Sequence, residues 1–474
     1  MNTKLITNAL VLLALLSNAI AAQQSSAGSG TNGLQPSDIF RFTNVWTVHL
    51  SLTPEQWEAM EPKQNRQAGG RRGGSFLQGP EGGRNGIAAA FGYVYDYVRA
   101  DLEFGTNRFK DVGVRYKGNG TFLSSRESLK RSLKLDLNQF VKGQKLAGMS
   151  QLNLHNSVRD PSGMNEAIAY RLFQDGGVPA PKTAYAKVYV TVPGKHDRRY
   201  LGLYDLIEDV GNTFAEERFG VRKGAVFKPV TPNLFSNLGD EWKSYNQTYD
   251  PKGELTEDQK RRVIEFSKFV SAASDSDFAA KVADYVDLDN VTRYMALTTW
   301  LVDMDGILGP GQNYYLYLHP KTQKFHFVPW DQDQPFGQFP RGTQEQRENL
   351  SIHKPWTGQN RFLDRLYKCE SFQKLYLARL AEFNKTILQP DRIHQQTDML
   401  AAILRAPIQE ESPARLAEFQ KAASGEKMTV AMGPGLGDTP VVPLKSFIKA
   451  RGRSIADQLE GKLEGKTIGT GFGR

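Results

Sequence analysis

The sequence predicts an α+β fold, with a β-rich N-terminal lobe over residues 38–209 and a mainly helical C-terminal lobe over residues 210–465. Segments of alternating, strand-favouring residues crowd the first half, whereas amphipathic segments with helix-capping signals fill the second. Apolar residues make up 39% of the 474-residue chain, which is enough to bury a large core.

The N-terminus has the pattern of a secretory signal peptide over residues 1–22. Lys4 precedes a mostly apolar run at 5–16, and alanines follow at 19, 21 and 22. A transmembrane anchor is the alternative interpretation of this segment. Residues 23–37 are polar and predict a flexible linker. We therefore expect a secreted or cell-envelope protein with no membrane span after removal of the signal.

Composition restricts the chemistry of the protein. The single cysteine, Cys369, excludes an internal disulfide and a thiolate zinc site. A formal charge of +9 favours a polyanionic partner without identifying it. The Arg/Gly-rich segment 65–86 could suit nucleic acid, but its few aromatic residues favour a disordered surface loop instead. We expect no specific nucleic-acid partner.

The elements of the N-terminal lobe follow from alternation and turn signals. A strand at 40–52 and a short helix at 53–60 come first, and three strands follow between 91 and 140, with a glycine turn at 117–121. A helix over 163–175 carries the apolar stripe Met164, Ile168 and Leu172. Strands at 184–192 and 200–207 complete the lobe.

The C-terminal lobe opens with a helix at 257–273, for which Thr256 and Gln259 form a capping box. A helix at 290–303 leads into a hairpin within residues 301–337, where two aromatic strands, 314–319 and 324–330, flank a polar turn. Further helices are predicted near 360–388, 391–406, 412–424 and 444–462.

The hairpin brings together acidic residues from its two ends: Asp303, Asp305, Asp331 and Asp333. Converging carboxylates repel each other unless a cation or a proton lies between them. Asn313 adds a neutral oxygen ligand, so the set suits Mg²⁺, Mn²⁺ or Ca²⁺ better than zinc.

Three upstream features have ordinary explanations when each is taken alone. They are the glycine turn with Lys117, Gly118 and Asn119, the strand residue Lys134 and the helix residue Glu166. Taken in chain order with the aspartates, they follow the logic of a phosphoryl-transfer site. The sequence contains no H-R-D or D-F-G motif of ordinary protein kinases.

Several segments resemble the CotH kinase family, named for a spore coat protein. They are VRYKGNGT (114–121), RSLKLDL (131–137), MNEAIAYRLF (164–173), YLGLYDLIED (200–209), DGILGPGQNYYLYLHP (305–320) and FVPWDQDQPFG (327–337). The resemblance covers roughly 40–340, with a weaker helical tail, and its W-D-x-D and N-Y-Y-L-Y motifs are the specific ones. It implies an atypical, protein-kinase-like two-lobed fold that uses ATP and Mg²⁺, with Mn²⁺ possible, to phosphorylate serine-rich proteins.

The resemblance also assigns roles to individual residues. Asp305 would be the catalytic aspartate, Asp331 the principal metal ligand with Asp333 close by, and Asp303 only a helix-face residue. The remaining candidates would bind the nucleotide: Lys134 with Glu166 as its ion-pair partner, Lys228 at a phosphate, Glu208 near the adenine, and the turn of Lys117, Gly118 and Asn119.

Three functions remain open from the sequence. The first is an exported CotH-type kinase that acts on Ser/Thr of a serine-rich or acidic protein. The second is a non-catalytic envelope, coat or adhesion protein that binds a divalent ion or nucleotide. The third, a metal-dependent phosphoesterase, would usually have histidine ligands, and His319 and His326 lie in the predicted strands rather than beside the acids.

Overall fold

The computed structural model describes residues 33–65, 77–431 and 438–471. The predicted signal peptide and residues 23–32 of the linker lie outside this range. A short helix already begins at Pro36, inside the predicted linker, and Ile39 at its end is buried. Among the described residues, no helix combines the length and the apolar character needed to cross a bilayer.

The secondary structure mixes strands and helices throughout. The strands are β1 (Val45–Ser51), β2 (Lys63–Gln64), β3 (Tyr93–Val94), β4 (Val98–Phe104), β5 (Asn107–Tyr116), β6 (Leu133–Asp136), β7 (Gln151–His155), β8 (Thr183–Val192), β9 (His196–Glu208), β10 (Ala225–Phe227), β11 (Tyr314–Leu318), β12 (Phe325–Pro329), β13 (Met428–Ala431) and β14 (Asp438–Val441). The α-helices are α1 (Pro36–Ile39), α2 (Pro54–Ala59), α3 (Ile87–Ala90), α4 (Gly120–Ser125), α5 (Asn165–Asp175), α6 (Asn212–Phe219), α7 (Lys243–Tyr249), α8 (Glu257–Ala272), α9 (Asp275–Lys281), α10 (Leu288–Leu301), α11 (Gln344–Glu348), α12 (Arg361–Leu366), α13 (Glu370–Lys385), α14 (Pro390–Glu411), α15 (Pro413–Ser424) and α16 (Leu444–Leu459). This content confirms the predicted α+β class.

Seven strands of the first half close into a barrel in the order β1-β4-β5-β6-β7-β9-β8. Strand β1 closes the barrel by pairing parallel with β8 and antiparallel with β4. Alternate residues of each strand point inward, as a two-residue period requires. Val48, Leu102, Val114, Leu135 and Leu154 are therefore part of one buried core.

A second core lies among the helices and a three-stranded sheet of order β10-β11-β12. Helix α10 runs through it with nearly every side chain buried. Helix α5 also packs here, through Ile168 and Leu172, although it lies in the first half of the chain. The capping box predicted at Thr256 and Gln259 starts helix α8 as expected.

The C-terminal end of α10 is held by Arg451 of helix α16. Its fully buried guanidinium donates to backbone oxygens of Thr299, at 3.0 Å, and Leu350, at 2.7 Å, with longer bonds to those of Trp300 and Glu348. Burial lowers the pKa of Arg451 to about 9, so it remains charged at neutral pH. A cation at a helix C-terminus also offsets the negative end of the helix dipole.

We predict that Arg451→Met lowers the free energy of unfolding by about 3 kcal/mol, because several buried carbonyl oxygens lose their donor. Urea denaturation followed by circular dichroism measures the loss. Arg453→Met, at an exposed position of the same helix, is the matched control and should change stability by less than about 0.5 kcal/mol. Equal stabilities of the two variants would contradict this role.

A second polar contact joins the barrel to helix α14. Lys130 donates to both carboxylate oxygens of Glu411, at 2.8 and 3.0 Å, and the backbone N–H of Leu203 donates to the same carboxylate at 2.7 Å. The side chains of Lys130 and Glu411 are 19% and 11% exposed. Removing Glu411 would therefore leave a mostly buried ammonium and a barrel N–H without their acceptor.

We predict that Glu411→Leu costs about 3 kcal/mol of stability for this reason. The neighbouring Glu410, which pairs with Lys187 and is 41% exposed, provides the control. Glu410→Leu should cost about 1 kcal/mol or less, as exposed ion pairs do. Thermal unfolding of both variants compares them, and a similar loss in each would show that the Glu411 contact has no special weight.

Candidate active site

A polar cavity of about 220 Å³ lies where the barrel meets the three-stranded sheet. The glycine turn after β5, strands β6 and β7, the first turn of α5 and the residues after β12 all line it. Lys117, Gly118, Asn119, Lys134, Glu166, Lys228, Asn313, Asp331 and Asp333 are among the lining residues. Most of the residues predicted from the sequence therefore share one cavity.

The acidic side of the cavity is built by the hairpin of β11 and β12. Tyr314 pairs with Pro329, and the N–H of Trp330 donates to the carbonyl oxygen of Asn313 at 3.2 Å. Asn313 and Asp331 both have left-handed backbones, with φ of +58° and +56°. Asn and Asp tolerate this conformation better than most residues. The two ends of the hairpin therefore meet, as predicted.

Asp305 lies beside this junction and is held by two amides. Gln312 Nε2 donates to Oδ1 at 2.9 Å, and Asn313 Nδ2 donates to Oδ2 at 3.0 Å. Burial raises the pKa of Asp305 to about 7. Because the amide nitrogen of Asn313 faces Asp305, the amide oxygen of Asn313 points away from that carboxylate.

Asp303 is separate from this group. Val302, with φ of +53°, ends helix α10, so Asp303 is not the helix-face residue expected from the sequence. Its carboxylate is buried and accepts from Gln332 Nε2 at 3.0 Å. Burial raises the pKa of Asp303 to about 7. This contact gives Asp303 a structural role under the loop after β12.

The opposite side of the cavity carries two lysines that are half-buried overall but whose ammonium groups are enclosed. Burial lowers the pKa of Lys117 to about 7 and that of Lys228 to about 8, although Asp331 opposes both shifts. Their ammonium groups lie 5.1 and 5.9 Å from the ring centre of Trp330. Among the described residues, no carboxylate forms a salt bridge with either lysine. These cations are therefore poorly compensated within the protein.

His155 is a site residue that the sequence analysis missed. Its Nδ1 lies 2.8 Å from Glu166 Oε2, and its Nε2 lies 2.6 Å from Lys117 Nζ. Burial and Lys117 lower the pKa of His155 well below its usual value, so the ring is neutral. It accepts from the lysine and donates to the glutamate. Only the alternation in β7, which places His155 on the same face as Asn153, could have indicated this position.

Glu166 lies at the end of this chain of contacts. It is 2% exposed, and burial, with a contribution from Asp331, raises its pKa to about 8. Its second oxygen, Oε1, is buried and accepts no hydrogen bond of ordinary geometry among the described residues, although Tyr170 and the backbone of Gln332 lie close enough to the carboxylate to offset part of the rise in its pKa. An unpaired buried oxygen that faces a cavity is costly unless a ligand or cation completes it.

The predicted ion pair between Lys134 and Glu166 is wrong. Lys134 Nζ instead contacts Asp209 Oδ1 at 2.9 Å, and Asn153 Nδ2 donates to the same oxygen at 3.1 Å. Strand β7 lies between β6 and β9, so Lys134, Asn153 and the residue after β9 are neighbours across the barrel. Burial alone would raise the pKa of Asp209, but the charge and hydrogen bond of Lys134 and the hydrogen bond of Asn153 hold this pKa below its usual value.

The side chain of Glu208, which the sequence analysis placed near an adenine, points away from this cavity. Glu208 is 1% exposed, does not line the cavity, and binds Arg218 Nη2 and the N–H of Lys182, each at 2.9 Å. The next residue, Asp209, faces the cavity instead. A single residue step along a strand reverses the side on which the side chain lies.

The Arg/Gly-rich segment differs from its prediction wherever it is described. Leu77 and Asn85 are 4% and 6% exposed, and Arg84, Asn85 and Gly86 line the cavity. Residues 77–86 are thus packed rather than disordered, because amide side chains and backbone groups of α7 satisfy their polar atoms. Residues 66–76 lie outside the described residues.

The residues present fit a divalent cation. Asp331 and Asp333 approach each other closely enough that burial and Asp331 raise the pKa of Asp333 well above its usual value. His155, Glu166 and Asp331 also present ligand atoms within 4.8 Å of one another. Both nitrogens of His155 are already engaged, so the oxygens of Asp331, Asp333 and Asn313, with Glu166 Oε1 nearby, are the suitable donors. All-oxygen sets favour Mg²⁺ or Mn²⁺.

Comparison with known proteins identifies the family of the chain. The family model described as CotH kinase protein matches residues 114–454. A curated relative, the inner spore coat protein H of Bacillus subtilis (strain 168), is 25% identical over 285 residues, which are 59% of this chain and 73% of the relative. The matched range contains the glycine turn, His155, Glu166 and all four aspartates. Because the family model covers well over half of the chain, the protein belongs to the CotH kinase protein family.

Proposed function

We propose that this protein is a Mg²⁺-dependent kinase that transfers the γ-phosphoryl group of ATP to a serine or threonine hydroxyl of a protein. The observation that carries the proposal is one cavity in which poorly compensated lysines with enclosed ammonium groups face a group of converging carboxylates. A polyphosphate with its metal ion complements both sides at once.

The cationic side would bind the phosphates. Lys117 and Lys228 lie beside Trp330 with lowered pKa values, so an anion placed between them would favour their charged forms. Lys134, fixed by Asp209, adds a third cation at the same cavity. The turn of Gly118 and Asn119 brings backbone close to the position of the anion.

The acidic side would hold the metal. Asp331, Asp333 and the amide oxygen of Asn313 are the residues suited to bind it, and the bound ion would neutralise charge on the phosphates. Asp305 is held in place by Gln312 and Asn313, so its carboxylate can accept the hydrogen bond of the acceptor hydroxyl. This orientation would direct a lone pair of the hydroxyl oxygen at the phosphorus.

The arrangement of the two cores supports a two-lobed, kinase-like organisation, because the barrel core and the helical core meet at the cavity. The printed name of the relative supports a coat or envelope location. We propose that the acceptor is a serine-rich or acidic protein at such a location. The residues 1–22 would direct export there.

We predict that Asp305→Asn and Asp331→Asn each reduce phosphoryl transfer at least about 100-fold. Asn keeps the size of Asp but loses the charge that orients the hydroxyl or holds the metal. The assay incubates the protein with labelled ATP, Mg²⁺ or Mn²⁺ and a serine-rich acceptor. Asp197→Asn, at an exposed position near the start of β9, is the matched control and should transfer label normally.

Two other results would contradict the proposal. Nucleotide binding by the wild-type protein without any transfer would indicate a non-catalytic coat or envelope protein. Release of phosphate from phosphate esters without an ATP requirement would indicate a phosphoesterase. Calorimetric titration with ATP and a phosphate-release assay separate these outcomes.

The corrected ion pair gives a further prediction. If Lys134 and Asp209 act as a unit, Lys134→Met and Asp209→Asn should each weaken ATP binding, and the double variant should weaken it little further. The expected coupling energy is about 1 kcal/mol or more. Calorimetric Kd values for the four proteins test the cycle, and strictly additive effects would show that the pair does not position the lysine for the nucleotide.

A further inference from the structure

Residues 77–86, called the strap below, cross from the barrel side of the cavity to helix α7. Asn85 Nδ2 donates to the carbonyl oxygen of Gln247 at 2.7 Å, and the N–H of Gly82 donates to Gln247 Oε1 at 3.1 Å. Gln78 Nε2 donates to the carbonyl oxygen of Val230 at 3.1 Å. The strap lies N-terminal to the range matched by the family model and is therefore outside that range.

The strap places Arg84 over the glycine turn. Arg84 Nη1 donates to the carbonyl oxygen of Gly118 at 3.2 Å, and Tyr95 Oη donates to the same oxygen at 3.0 Å. The guanidinium carbon lies 4.4 Å from the ring centre of Tyr95. Arg84 therefore has a fixed orientation beside the turn that carries Lys117.

The strap sits on the turn only because glycine is present at position 86. A Cβ atom there would lie 2.1 Å from Asn119 Oδ1, and the backbone has φ of +109°, which other residues rarely adopt. The strap and the turn thus meet where the side chain of Asn119 packs directly against the backbone of Gly86.

The charge of Arg84 is not balanced within the protein. Among the described residues, its buried Nη2 makes no hydrogen bond of ordinary geometry, Tyr95 is the one side chain that contributes hydrogen bonding to its pKa, and no carboxylate forms a salt bridge with it. Burial lowers its pKa. Asp250 is an acid that acts on the pKa of Arg84 through its charge, but it already forms a salt bridge with Lys252 at 2.6 Å. A buried cation without an anion is costly, so this geometry suits an anionic ligand.

We propose that Arg84 binds a phosphate of the nucleotide, so that the strap completes the phosphate side of the cavity from outside the matched family range. This inference rests on the proposed function, since the anion is taken to be that of a nucleoside triphosphate. Arg84, Lys117 and Lys228 line the same cavity. A planar guanidinium can donate two parallel hydrogen bonds to phosphate oxygens, which an ammonium cannot.

The test compares binding of ATP and of adenosine, both with Mg²⁺, by calorimetry on the purified protein. Arg84→Met keeps an apolar stem on Tyr95 and removes the charge. It should weaken ATP binding about 10- to 100-fold and leave adenosine binding unchanged. Arg84→Lys should recover part of the loss. Arg99→Met is the matched control, because Arg99 also stacks on a ring, 4.3 Å from Phe140, but lies exposed on the barrel.

The outcomes are distinct. A selective loss of ATP binding in Arg84→Met, absent in Arg99→Met, supports the proposal. Unchanged ATP binding in Arg84→Met overturns the role of Arg84 and leaves the proposed kinase function intact. Equal losses for ATP and adenosine, with a lowered melting temperature, would show a purely structural role. Failure of the wild-type protein to bind ATP would overturn the proposed function and this inference with it.

Discussion

The pairing of β11 with β12 is the interaction on which the site depends. It brings Asn313 against Trp330 and so joins two loops that each carry acidic groups. The cationic side of the cavity packs on the ring of Trp330. Lys117 and Lys228 lie over this ring, and the ring of His155 meets it edge-on with the two ring centres 5.8 Å apart. The hairpin thus fixes the acids and the position that the cations adopt relative to them.

On the two sides of the cavity, burial shifts the pKa values of the ionisable groups in opposite directions. Burial raises the pKa values of Asp333 and Glu166 and lowers that of Lys117, so each group is held where its charged form is disfavoured. Direct ion pairs would oppose these shifts, yet the fold keeps these groups apart and uses neutral His155 as a spacer between Lys117 and Glu166. Keeping these groups apart, with their charged forms disfavoured, costs stability, as is common at functional sites.

Local sequence was sufficient to predict the hairpin and the proximity of Asp305, Asn313 and Asp331, because these residues lie within one short segment. The pairing of Lys134 with Asp209 was not predictable in this way, since it depends on β7 inserting between β6 and β9 in a closed barrel. Alternation gives the face of a strand residue but not its neighbour across the sheet. His155 was missed for the same reason, as its partners come from the glycine turn and from α5.

The strap shows a different limit of sequence reasoning. Its glycine and arginine content predicts that it cannot bury an apolar core of its own, and this remains true. It is ordered by polar contacts that other elements supply, chiefly Gln247 of α7 and the carbonyl oxygen of Gly118. Gln78, near one end of the strap, and Asn85, near the other, both bond to the helical side, whereas Arg84 bonds to Gly118 of the glycine turn after β5. Because Arg84 contacts one core while its neighbours are bonded to the other, any change in the separation of the two cores would move its guanidinium relative to the cavity.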